Sequence, residues 1–400
     1  MNLRFESIVL FAATAALPLL QGCQRAPVVP PIPLPNLTEA YAEVREVVQQ
    51  RHAALQEDPE SAATWGKYAL TLDAHEYTNT AEECYRVAIK LNPAAARWKY
   101  LLAIKLKGQS PSQAEALLAQ LTGRGNAELA ELICHIDVLN DLGKAAAADE
   151  ILAKANEVFS SHPAVLFRMA RQSFESQDFG DAVVHLDSVR GKFRECVRLQ
   201  RRLLAVGQQT KAAVPDVRDE ENLPSVDQMI QDPHTAAVFS HRRDPLWRGK
   251  QAAERARAGD PLGMNSLIGL VNAHPELIDN RLQFALLTAE RGGHQQAEQI
   301  VREGLRLAPA TPRLLSGLAA LSMLQEDWTE SKIRLNDLLL VEPESIAGWS
   351  DLAFVLEQLE DVDPAIAAYD KVLSLAPDDA ELAARRDAVQ QRAKEKGRLP

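Results

Sequence analysis

Cys23 is the residue whose position most directly suggests chemistry. It stands at the end of an apolar stretch, in Leu20-Gln21-Gly22-Cys23, where a thiol could become the site of a covalent modification. The other side chains able to do chemistry are dispersed. Cys84, Cys134 and Cys196 lie in helical, mixed surroundings that suit buried small-residue packing. In an oxidising compartment two of them could pair and leave one thiol over. His234 and His241 flank an apolar stretch at a spacing that matches no common metal site, so two surface or linker imidazoles are expected. Paired carboxylates such as Glu82-Glu83, or Asp379 with Glu381, sit on amphipathic stretches and read as solvated faces rather than acid/base pairs. The sequence contains no GxxxxGK[ST], HExxH, GxSxG or CxxCH. Neither a catalytic residue nor a cofactor, metal or small-molecule substrate is expected, and the chain reads as a non-enzyme.

Composition points the same way. The 400 residues carry 44 Lys plus Arg against 55 Asp plus Glu, a formal net charge of −11, with no basic cluster. Duplex affinity rests on Lys and Arg neutralising phosphates, so nucleic acid is excluded as an expected partner. Hydrophobic residues at 46% and charged residues at 25% belong to a folded chain. Four Cys are too few for a disulfide scaffold.

The first 22 residues read as an address. Arg4 supplies a positive end, and Ser7 to Leu20 is apolar but too short to span about 30 Å of hydrocarbon as a stable helix. The segment with Cys23 resembles the signal and lipobox of bacterial lipoproteins, in which this Cys is lipidated and becomes the new N-terminus. The resemblance implies a membrane anchor through the N-terminal lipid. Because Gln24 is not Asp, it also implies an outer-membrane lipoprotein facing the periplasm. The other reading of these residues is an ordinary secretory signal followed by a Cys. Residues 23–37 include Pro-rich Ala26–Pro35, an extended, stiff run at about 3.1 Å per residue, which reads as a spacer holding the folded part away from the bilayer.

The remainder is organised by proline. Pro275, Pro309, Pro343 and Pro377 stand 34 residues apart, as do Pro59 and Pro93. Between them apolar residues recur at i, i+3, i+4 and i+7, and no segment alternates as a strand. Proline cannot continue a helix, so each marks the end of a repeated unit. Before Pro377 stand Trp349, Leu352, Ala353, Leu356, Ala365 and Tyr369; before Pro93 stand Trp65, Tyr68, Ala69, Leu72, Ala81, Tyr85 and Ala88. Gly263 and Leu267 belong to a degenerate copy before Pro275, and weaker copies fill 98–190. Val197 to Ala213 reads as one further hairpin.

These positions resemble the tetratricopeptide repeat pattern W-x₂-L-G-x₂-Y…A-x₃-F…P. The resemblance implies an all-α solenoid, a right-handed superhelix of helical hairpins whose concave groove binds a peptide or protein. Two arrays are expected, at 38–209 and 244–377, the second with four repeats, followed by a capping helix and tail at 378–400 built on Leu382 and Val389. Residues 210–243 break the rhythm with Pro215, the acidic run 219–221 and Pro233. They read as a crossing linker or as an insert packed into a groove.

Front-helix residues facing away from the neighbouring unit would line the second groove. These are Arg248 and Arg255, then Leu282, Leu286 and Glu290, then Ser316, Ala320 and Met323, then Ser350, Phe354 and Glu357. An apolar peptide or helix docking near Leu286, Met323 and Phe354 is one reading, and intra-array packing is the other. The function expected is a lipid-anchored scaffold or adaptor for a protein or peptide partner in the periplasm or envelope. Two alternatives compete: an enzyme subunit whose site is completed by 210–243, and a self-associating structural repeat protein.

Overall fold

The computed structural model describes residues 30–189, 193–209, 211, 223–377 and 379–395. Cys23, the signal segment and the acidic run 219–221 lie outside these residues. The described chain is all-helical. Its N-terminal array comprises α1 (Ala42–Glu57), α2 (Ala62–Ala74), α3 (Thr78–Leu91), α4 (Ala96–Leu106), α5 (Pro111–Thr122), α6 (Leu129–Asp141), α7 (Ala145–Phe159), α8 (Pro163–Glu175), α9 (Phe179–Ser188) and α10 (Arg194–Ala205). A 3₁₀ turn (Val226–Met229) and α11 (Pro233–Ser240) come next. The C-terminal array comprises α12 (Pro245–Arg257), α13 (Pro261–Ala273), α14 (Ile278–Glu290), α15 (His294–Leu307), α16 (Pro312–Leu324), α17 (Trp328–Val341), α18 (Ile346–Gln358), α19 (Val362–Leu375) and α20 (Ala380–Glu395). None of the described helices is long and apolar enough to cross a membrane.

Helices pair as antiparallel hairpins, α2 with α3 through α8 with α9, and α12 with α13 through α18 with α19. Each second helix then packs on the first helix of the next hairpin. The periodic prolines stand at the unit boundaries. Helices α1, α3, α13, α15, α17 and α19 each end two residues before Pro59, Pro93, Pro275, Pro309, Pro343 and Pro377 respectively. Other prolines open helices at the first helical position, as Pro163, Pro245 and Pro312 do, where a missing N–H costs nothing. Ser61, Asp244, Asp327 and Ser345 cap their helices through side-chain oxygens.

Small residues permit close approach and large ones fill what remains. Ala69, Ala81, Ala353 and Ala365 are fully buried, as are Trp65, Tyr68 and Tyr85, with Tyr369 close behind. At Gly263 a Cβ would lie 2.4 Å from the Ala256 amide nitrogen, so only glycine lets α12 and α13 touch. Trp65 donates its indole N–H to the Pro59 carbonyl at 2.7 Å, and Trp349 does the same to Pro343 at 2.8 Å. Both of these repeats thus tie the first aromatic to the proline that follows the previous helix. The α20 helix closes the stack by burying Val389 and, in part, Leu382. The hairpin expected over residues 197–213 is not formed within the described residues: one helix, α10, covers 194–205, and residues 212–222 lie outside them.

The described part of the 23–37 run is extended, but it does not stand free. Ile32 and Leu37 pack against the N-terminal core, and the Tyr68 hydroxyl donates to the Pro33 carbonyl at 2.8 Å. Partial burial of two aliphatic side chains holds the arm from Ile32 to Leu37 against the array.

Candidate interaction grooves

The first helices of the hairpins line the concave side of each array, and the two grooves differ. The N-terminal groove is occupied by the chain itself. Residues 226–241 run back across α8, α6, α4 and α2, in the reverse of their chain order, as a strap. Its C-terminal end delivers the chain to α12 beside the start of the first array, where His274 meets Glu43 at 2.6 Å and stacks edge-on with Tyr41.

Polar contacts space the strap along the groove. Arg168 on α8 is 4% exposed and holds two carboxylates, Asp137 of α6 at 3.0 Å and Asp227 of the strap at 2.8 Å. Burial works against its charge, and the two carboxylates outweigh it, so its pKa is raised. The Tyr100 hydroxyl on α4 donates to Asp232 at 2.9 Å, and the same carboxylate accepts the backbone N–H groups of His234 and Thr235 at the start of α11. His162 contacts the Met229 carbonyl at 3.2 Å, and Thr71 on α2 meets His241 Nδ1 at 3.0 Å. Val226, Ile230 and Val238 supply the apolar anchors; Ile230 alone touches three of the core clusters.

Both histidines lie in the segment between the arrays, as the linker reading has it, but His234 is not at the surface. His234 is 7% exposed against the Tyr100 ring, with Nε2 3.7 Å from both Glu128 and Glu131, and His241 is half-buried. Burial, with Arg51, Arg243, His75 and Lys67 nearby, lowers the His241 pKa. No group of side chains suited to a metal occurs among the described residues. Cys84, Cys134 and Cys196 are all free, which removes the expected option of a disulfide among them. Burial pushes their thiols up to about 12, 11 and 12, making them poor nucleophiles.

The C-terminal groove holds a cavity. Leu282 and Leu286 of α14, Ser316 and Ala320 of α16, and Ser345 and Gly348 at the start of α18 line a cavity of about 320 Å³. Arg313 and Glu342 stand at its edge. Four of the residues expected from sequence thus come together. The others do not join them. Arg255 pairs with Asp260 at 2.6 Å in the turn of its own hairpin. Arg248 and Glu290 are exposed on α12 and α14, outside this cavity. Met323 packs against the C-terminal core cluster.

Phe354 and Glu357 are the clearest corrections. Phe354 lies edge-on to Trp328 at 5.8 Å, with the Arg385 guanidinium 5.2 Å over its ring. Glu357 accepts the Tyr369 hydroxyl and pairs with Arg385 at 3.3 Å and Arg392 at 3.0 Å, which fastens α20 to the stack. Its role has a counterpart twelve residues before Tyr85, where Asp73 accepts that tyrosine's hydroxyl at 3.1 Å and pairs with Lys105. An acid at the end of the first helix and a tyrosine twelve residues on form a clasp within the hairpin. Comparing the two strongest repeats position by position would have found it.

Comparison with known proteins identifies one repeat. Residues 347–379 match the family model of the tetratricopeptide repeat. No curated protein sequence matches the chain. Among solved structures it is similar to a chain of the Naa15/Naa10 complex bound to HypK-THB, at 14% identity and a TM-score of 0.32, covering 89% of this chain and 60% of that one. It is also similar to yeast Tom70, at 14% identity and 0.34, covering 91% and 67%. The type IV pilus biogenesis factor PilW aligns at 13% identity and 0.32, covering 56% of this chain and 97% of its own. The chain spans about three fifths of the first of these. With the 34-residue periodicity and the paired helices in view, residues 347–379 are a tetratricopeptide repeat within an all-α array of helical hairpins.

Proposed function

We propose that the chain is a lipid-anchored scaffold of the bacterial cell envelope that holds a protein or peptide partner in the groove of its C-terminal array. Repeat solenoids of this construction offer area for protein partners rather than a reactive centre. The observation that carries the reading is the cavity in the second groove, which Leu282, Leu286, Ser316 and Ala320 give an apolar floor, whereas residues 226–241 already lie across the first groove. Such a floor suits one aliphatic or aromatic side chain of a docked segment, flanked by Arg313 and Glu342 for polar contacts. Lipid at Cys23 would confine the partner to the membrane surface and raise its effective concentration there. Two or three acyl chains on one Cys would anchor firmly, at about 0.8 kcal/mol per buried CH₂.

Site-specific photocrosslinking in cells tests the groove. A photoreactive residue at Ser316 should trap a discrete partner, and Ala320→Arg should abolish that product. A pattern no different from a probe at exposed Glu381 counts against the groove, and a product containing only this chain would support self-association instead. In parallel, metabolic labelling with an alkyne fatty acid should mark the protein, and Cys23→Ser should remove the label. An unlabelled wild-type chain overturns the anchor alone.

A further inference from the structure

We propose that the N-terminal groove is itself a binding site for a partner segment of the pattern acidic–x–x–aliphatic–x–acidic, and that residues 226–241 are its resident competitor. The pattern is that of Asp227, Ile230 and Asp232. Arg168 takes the first carboxylate, the meeting point of three core clusters takes the aliphatic side chain, and the Tyr100 hydroxyl takes the second carboxylate. These are directional contacts to side chains on separate hairpins, the kind that select one segment over another.

Three observations distinguish a displaceable occupant from a permanent brace. First, the groove's buried charges are satisfied without the strap. Arg168 keeps Asp137 at 3.0 Å, and Glu131, with a 1% exposed side chain, keeps Arg124 at 2.8 Å. Departure of Asp227 therefore leaves no unpaired buried charge behind. Second, the strap fits incompletely. A cavity of about 760 Å³ remains between it and the α6–α8 region, lined by Leu129, Phe159, His162, Met229 and Ala236. Third, His234 is buried with neither ring nitrogen within hydrogen-bond distance of a partner; Nε2 stands 3.7 Å from Glu128 and Glu131, a looser contact than a segment with a direct hydrogen bond there would make. The strap's own backbone also contributes little: one 3₁₀ turn and eight helical residues, with Met229 and Phe239 about half exposed. This groove and the C-terminal cavity share no residue, so the proposal stands or falls apart from the scaffold reading above.

Hydrogen exchange on the full chain is the first test. Amides of 226–241 should exchange by local opening at least tenfold faster than those of α2 and α4 beneath them; equal protection makes the strap a permanent brace and overturns the proposal. The second uses a fluorescent peptide of residues 223–243 as probe. The full chain carrying Asp227→Ala with Ile230→Asp should bind it at least tenfold more tightly than wild type. Adding Tyr100→Phe, or using a probe with Asp227→Ala, should each weaken that binding several-fold. Equal affinity for wild type and the loosened chain, or insensitivity to both of the last two changes, overturns the proposal. Should the doubly substituted chain fail to fold, the exchange experiment on wild type still decides.

Discussion

At the scale of single residues, the deciding quantity is how much of each side chain the repeat removes from water. Trp65 and Trp349 occupy equivalent places and make the same indole hydrogen bond, yet Trp65 is fully buried and Trp349 is partly exposed. Cavity formation scales with buried volume, so Trp65→Ala should destabilise by about 3–5 kcal/mol. Trp349→Ala should cost clearly less, about 1–2 kcal/mol, because water already covers part of the ring. Urea unfolding of both variants checks the order; equal losses would contradict the exposures. The sequence alone puts both rings between units. It does not say how completely each ring is withdrawn from water.

At the scale of elements, the turn inside each hairpin repeats as faithfully as the prolines outside it. Gly292, Glu326 and Glu360 stand 34 residues apart with φ of +85°, +56° and +57°, and Gly143 and Gln177 stand in the same relation in the first array. A left-handed conformation costs a residue with a Cβ about 1–2 kcal/mol, whereas glycine adopts it freely. Glu326→Gly removes that strain and adds unfolded-state entropy worth about 0.4–1 kcal/mol in the other direction. A net stabilisation of about 0.5–1 kcal/mol is expected in thermal unfolding, and a loss of stability would show that the strain at Glu326 is smaller than the entropy it saves. Gly143 and Gly292 stand at this turn in two of the repeats, so the position was legible. The strap was not: it carries no periodicity of its own, and its anchors Val226, Ile230 and Val238 belong to no repeat.

At the scale of the whole molecule, the two arrays are built to respond differently to acid. In the N-terminal array and strap, His75, His135 and His241 are held below the ordinary imidazole range, burial being the first cause for each. A depressed imidazole stays neutral in the fold and charges on unfolding. Stability is therefore full above about pH 6.5 and falls as pH drops below the unfolded value, by up to about 1.4 kcal/mol per pH unit for a buried group such as His135. In the C-terminal array Asp351 goes the other way: burial raises its pKa, so protonation at low pH favours the fold. Lowering the pH from 7.5 to 5.5 should therefore lower the unfolding temperature of the N-terminal array more than that of the C-terminal array. Fluorotryptophan NMR reads this directly, since Trp65 and Trp98 report on the first and Trp328 and Trp349 on the second. Equal shifts would show that the arrays melt as one unit. Glu43 and Glu131 add a second loss further down. Burial opposes their charge, but polar neighbours, the Glu43 amide and His274 for one and His234, the Glu128 amide and Arg124 for the other, hold both pKa values below the usual range.

The period, the helix boundaries and the number of C-terminal hairpins can be read from the chain without coordinates, because proline and small residues act through local backbone geometry and helix contact distance. Four cavity residues, Leu282, Leu286, Ser316 and Ala320, come from the same register. Three outcomes needed the packed molecule: Phe354 and Glu357 serve α20, the arm from Ile32 onward is docked, and a strap already lies across the first groove. Those outcomes depend on which distant segments find unsatisfied donors and uncovered apolar surface. A repeat period carries no information about pairings between residues 59 or 132 positions apart, as in Arg168–Asp227 and Tyr100–Asp232.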